Sequence, residues 1–160
     1  MRKIILSLLL IFTAFSCENE IYSTIPNAPV SYKLNLNLYV SDHQLNAGTG
    51  AYLKITQKRL DTDRLGFGGL LIINGVGLEP VNLFAYDLAC PVEANRNALI
   101  VPEDINETGT PTAFTAKCQK CGAVYDIIGG FGTPKSGSKY YLRTYRVMKT
   151  ANSGEYIVTN

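Results

Sequence analysis

The sequence predicts an all-β fold, an antiparallel sandwich or barrel, and three observations carry that prediction. Apolar and polar residues alternate along several short stretches, Gly, Pro and Asn punctuate the chain between them, and nothing beyond the N-terminal segment sustains a three-to-four-residue period. The clearest strand is KLNLNLYV (33–40), with Leu34, Leu36, Leu38 and Val40 on one face and Lys33, Asn35, Asn37 and Tyr39 on the other. AYLKIT (51–56) follows the turn-forming NAGTG (46–50), which predicts a hairpin with the strand before it. GGLLIIN (68–74) is a continuous apolar run, as expected of a strand covered on both faces, and VNLFAYD (81–87) alternates again after GVGLEP. NALIV (97–101), TAFTAKC (112–118), AVYDI (123–127), YYLRTYRV (140–147) and EYIVTN (155–160) complete the set. Little helix and no internal repeat are expected.

The N-terminus reads as an export signal. Met1-Arg2-Lys3 is basic, Ile4 to Phe15 is almost wholly apolar, and small residues close the run around Cys17. About a dozen apolar residues fall short of the roughly 18 to 20 that a spanning helix needs. The Ala14-Phe15-Ser16-Cys17 ending resembles a bacterial lipobox, which implies cleavage after residue 16 and a diacylglycerol on Cys17. The alternative is cleavage elsewhere, with Cys17 an ordinary residue. The expected organisation is a lipoprotein signal peptide at 1–16, an acylated cysteine and flexible tether at 17–29, and one β domain at 30–160. Lipid anchoring in a bacterial cell envelope follows, with the outer membrane as the expected location.

Charge excludes one class of partner. Fifteen basic side chains face thirteen acidic ones, and the two sides balance once Arg2 and Lys3 leave with the signal. No basic surface remains to displace counterions, so nucleic acid is not an expected partner. The Lys58-Arg59 pair and Lys135, Lys139, Arg143 and Arg146 are read as solvated faces. The single histidine, His43, is expected in a solvent-facing turn, with no second imidazole and no Gly-x-Ser-x-Gly motif beside it. The glycine-rich GFGGLLIINGVG and GGFGTP lack the lysine and helix start of a phosphate cradle and read as turns.

Chemistry therefore narrows to Cys90, Cys118 and Cys121. A redox-active Cys-x-x-Cys opens a helix, whereas Gly122-Ala-Val-Tyr-Asp126 after this pair is strand-like, which disfavours a thioredoxin-type role. Two cysteines ahead of a strand, closed by glycine, instead form a knuckle able to place two sulfurs on one metal.

ACPVE (89–93), KCQKCGAVYD (117–126) and GGFGTPKSGSKYYLRTYRV (129–147), in that order, resemble the cluster motifs of Rieske iron–sulfur domains. In that family a Cys-x-His loop and a Cys-x-x-His-Gly loop hold a [2Fe–2S] cluster. Cys90 and Cys118 match the two cysteines, and Gly122, Tyr125, Asp126, Pro134, Ser136, Gly137, Leu142 and Tyr145 fall in step. The resemblance covers roughly residues 67 to 160 and implies a Rieske-like sandwich or barrel with a small two-loop subdomain. It also points to lipoproteins of Bacteroidetes-type bacteria.

Both cluster histidines are replaced, by Val92 and Cys121. A Rieske centre requires two imidazoles on one iron, so this chain cannot build one. The resemblance leaves open a [2Fe–2S] cluster with altered ligation, a zinc or iron ion on the three sulfurs, or no metal at all, with a disulfide between the two loops. Glu93 and Asp87 are the nearest candidates for a fourth ligand. Two functions follow: an envelope protein that binds a cluster or metal for electron transfer, or a metal-free scaffold that binds an unidentified envelope partner. Neither makes the protein an enzyme on its own, since the chain has no room for a second, catalytic iron domain.

Overall fold

The computed structural model describes residues 23–79, 81–106 and 109–160. The expected signal peptide and Cys17 lie outside the described residues. The fold is all-β, as the sequence predicts. Eleven strands run in chain order: β1 (Val30–Asn35), β2 (Tyr52–Ile55), β3 (Arg64–Leu65), β4 (Leu70–Asn74), β5 (Leu83–Asp87), β6 (Ile100–Asp104), β7 (Ala113–Cys118), β8 (Val124–Asp126), β9 (Pro134–Ser136), β10 (Thr144–Lys149) and β11 (Glu155–Thr159). One four-residue helix, α1 (Val40–His43), and a 3-10 turn (Gln44–Ala47) follow β1. Among the described residues no helix is long and apolar enough to cross a membrane.

A seven-stranded sheet has the order β2-β4-β5-β10-β11-β1-β3, and a four-stranded sheet the order β6-β7-β8-β9, with antiparallel pairing throughout. The larger sheet curls on itself, because β1 and β4, with three strands between them, share one core: Val30, Tyr32 and Leu34 pack with Leu70, Ile72, Ala85 and Val158. Its outer face meets the smaller sheet in a second core built from Leu71, Ile73, Tyr86, Ile100, Ala116, Tyr125 and Ile127. Consecutive residues of β4 thus enter different cores, which is why GGLLIIN carries no alternation. The Tyr86 hydroxyl donates to the Ile127 carbonyl at 2.9 Å and ties the two layers together.

Two sequence expectations fail near the start. The strand expected at 33–40 ends at Asn35, whose side chain accepts from the amides of Asn37 and Leu38 and turns the chain. Leu38 and Val40 are consequently exposed, at 67% and 92%. The expected hairpin also does not form: β2 pairs with β4, while β1 pairs with β11 and β3. A local turn signal competed here with the long-range pairing that buries β1, and lost.

Arg59 is no solvated face either. Its guanidinium grips the buried Asp42 carboxylate through both nitrogens and lies 3.8 Å from the centre of the Tyr39 ring. The described end of the expected tether, Ser23 to Pro29, lies against the domain. Ile25 is buried, Asn27 accepts from Arg143 and Asn160, and the Thr24 hydroxyl donates to the Pro91 carbonyl.

Where β5 leaves the large sheet, Asp87 is fully buried and four donors converge on its carboxylate. The Phe67 amide and the Tyr145 hydroxyl each donate to Oδ2 at 2.7 Å, and the amides of Gly68 and Ala89 donate to Oδ1 at 2.9 and 2.8 Å. Gly68 admits this approach, since a Cβ there would lie 2.7 Å from the Ala89 nitrogen. Removing the carboxylate strands four donors, whereas removing the Tyr145 hydroxyl leaves three bonds in place. Asp87→Ala is therefore expected to lower unfolding stability by about 3 kcal/mol and Tyr145→Phe by about 1 kcal/mol, read from urea denaturation. Equal losses would mean that Tyr145 alone carries the network.

Candidate metal centre

The three cysteines arrive from two loops at one end of the small sheet. After Asp87 the chain runs through Leu88 and Ala89 to Cys90, whose amide donates to the Ala98 carbonyl and whose carbonyl accepts from Ala94, closing a tight loop. Cys118 ends β7. Its amide donates to the Ala123 carbonyl and its carbonyl accepts from Gly122, so residues 119–122 form the knuckle that the Cys-x-x-Cys-Gly pattern predicts. Gly122 stands at φ +75°, a left-handed conformation that glycine adopts without strain. β9 borders the knuckle, and Gly137 packs so closely on it that a Cβ would lie 3.0 Å from the Ala123 Cα.

All three sulfurs lie within 4.8 Å of one another, and Cys90 Sγ is 3.6 Å from Cys121 Sγ. Cys90 and Cys118 are buried, while Cys121 is exposed. A salt bridge between Lys120 and Glu93 joins the two loops beside them. An open cleft of about 470 Å³, lined by Asn95, Asn97, Ala98, Leu99, Gln119 and Lys120, runs between the same loops. A larger one of about 590 Å³, lined in part by Leu36, Val81 and Val147, shares no residue with the thiols.

The site residues named from sequence are thus brought together, except the oxygen donors. Asp87 is not part of the thiol group, and its carboxylate is held by four hydrogen bonds elsewhere. Glu93 is likewise outside the group and paired with Lys120. His43 sits in α1, exposed, with its Nδ1 3.0 Å from the Leu36 carbonyl, and has no part in the site. Sequence reasoning noted Tyr125 only as a motif position. Its buried hydroxyl lies 3.8 Å from Cys90 Sγ, and burial above all, with the Cys90 contact adding to it, pushes the phenol pKa up. The phenol therefore keeps its proton, which it can donate to the Cys90 sulfur once that thiol is ionised.

The two buried thiols are set apart electrostatically. Burial pushes the Cys90 thiol up, outweighing the nearby amides of Glu93 and Val92. Burial also acts on Cys118, but the amides of Cys121 and Lys120, with the Cys90 and Cys121 thiols, outweigh it and hold Cys118 below the usual thiol value. Amides of its own loop thus act on each buried sulfur, and with the neighbouring thiols they outweigh burial only at Cys118. Chemically, the arrangement offers three soft donors that could hold one metal ion.

Comparison of the chain with protein-family models, with curated proteins and with solved structures finds no match. The resemblance to Rieske domains therefore rests on the ordered motifs.

A raised Cys90 pKa means that the free chain carries this proton through neutral pH and that an ion must displace it. Titrating zinc into weakly buffered protein at pH 7 is expected to release at least one proton per ion, with affinity rising as pH rises. Proton-free binding would show that Cys90 is not a ligand.

Proposed function

We propose that this is a lipid-anchored cell-envelope protein whose Rieske-like domain holds a single soft metal ion on Cys90, Cys118 and Cys121. The observation that carries this reading is the spacing of the sulfurs. An ion with metal–sulfur bonds of about 2.3 Å holds its sulfurs about 3.8 to 4.0 Å apart in tetrahedral or trigonal geometry. Cys90 and Cys121 stand 3.6 Å apart, close to that value, and all three sulfurs lie within 4.8 Å of one another, so an ion enters with small shifts of the side chains.

A [2Fe–2S] core fits these residues less well. It takes four protein ligands shared between two irons, and three converge here among the described residues. A mononuclear ion needs no fourth protein donor, because the exposed Cys121 side leaves a position for water or a partner's ligand. Zinc on such a site is structural or held for exchange, and iron adds one-electron chemistry.

The lipid anchor gives the reading its location, and its support is the signal and Cys17 pattern in the sequence. Thr24 is bonded to Pro91, next to Cys90.

Metal and acid-labile sulfide are to be measured on the full chain, purified in detergent without oxygen. About one zinc or iron per chain and no sulfide is the expected result, with Cys118→Ser weakening metal affinity by more than about 100-fold. Two irons and two sulfides would replace the single ion by an altered cluster. A chain with no metal would support the metal-free scaffold.

A further inference from the structure

We infer that Cys121 and Cys90 are a reversible oxidation site, closed to a disulfide by a hydroperoxide, and that closure dismantles the three-sulfur site. The consequence for the metal rests on the reading above, and the pairing does not. Two observations point to this pair. Cys121 is exposed and Cys90 buried, so an oxidant dissolved in water reaches one partner first. Their sulfurs lie 3.6 Å apart, and a disulfide of about 2.05 Å requires an approach of about 1.5 Å, within reach of a side-chain rotation at the exposed cysteine.

The chemistry balances. The Cys121 sulfur attacks the outer oxygen of the hydroperoxide: an S–O bond forms, the O–O bond breaks, and the alcohol, or water from hydrogen peroxide itself, leaves with the thiol proton. Cys90 then attacks the Cys121 sulfenic acid, forming the S–S bond and releasing water. Two thiols lose two electrons and one hydroperoxide gains them. A dithiol reductant returns both thiols by exchange. The new bond joins the two loops that Glu93 and Lys120 already bridge, so the fold tolerates it. It leaves Cys118 alone to hold the ion, and one thiolate does not retain what three did.

The test treats the zinc-loaded full chain with one equivalent of hydrogen peroxide, blocks remaining thiols with iodoacetamide, and maps tryptic peptides by mass spectrometry. Trypsin cuts after Lys117 and Lys120, so Cys118 and Cys121 report separately. The expected result is a Cys90–Cys121 linked peptide, a blocked Cys118, about one zinc released per disulfide, and reversal of all three by dithiothreitol. A Cys118–Cys121 link, a sulfinic acid at Cys121 with Cys90 blocked, or a Cys90–Cys121 link with zinc retained would overturn the inference. The same mapping on metal-free chain reads the pairing even if zinc never binds, and zinc content before oxidation separately tests the metal reading. Cys118→Ser is expected to keep the Cys90–Cys121 link, so a loss of that link in a folded variant counts against it.

Discussion

The placement of the cysteine site depends on one buried charge. Asp87 stands where β5 ends, and its carboxylate gathers the Phe67 and Gly68 amides from the chain between β3 and β4, the Tyr145 hydroxyl from β10 and the Ala89 amide from the Cys90 loop. A carboxylate out of water is costly unless its lone pairs are filled, and here four donors fill them. The same bonds aim the chain that carries Cys90. The structural role of Asp87 and the position of the first thiol are therefore one constraint, and this is also why Asp87 is no metal ligand.

From that fixed point the site is assembled by backbone. Cys118 comes in on β7, whose pairing with β6 sets Ile100 opposite it, and the Gly122 turn brings Cys121 back beside it. Apart from the Tyr125 contact and the Glu93–Lys120 bridge, little of the alignment depends on side chains. Sulfurs positioned by strand ends and tight turns are held without an ion, which would lower the ordering cost of binding one.

The fold was legible wherever local pattern and burial agree. β2, β4, β5, β7, β8 and β11 fall within the stretches picked out by alternation or apolar runs, and β6 and β10 overlap them, because the faces they bury are the ones their residues prefer. β3 and β9 were invisible: two and three residues long, they owe their pairing to neighbours rather than to their own composition. The extension of β1 to Val40 was misread because an apolar alternation continued past Asn35, where an Asx turn ends the strand. At the site, the thiols were legible from spacing. The Asp87 network was not, since a lone acid after a strand carries no sign of donors that come from residues 20 and 58 positions away.

The central claim is that one ion sits on three sulfurs. X-ray absorption at the metal edge, on full chain purified in detergent without oxygen, tests it most directly. A single-ion site predicts three sulfur scatterers at about 2.3 Å, with any fourth neighbour lighter and no second metal in the shell. A second metal close by, or fewer than three sulfurs, would contradict it.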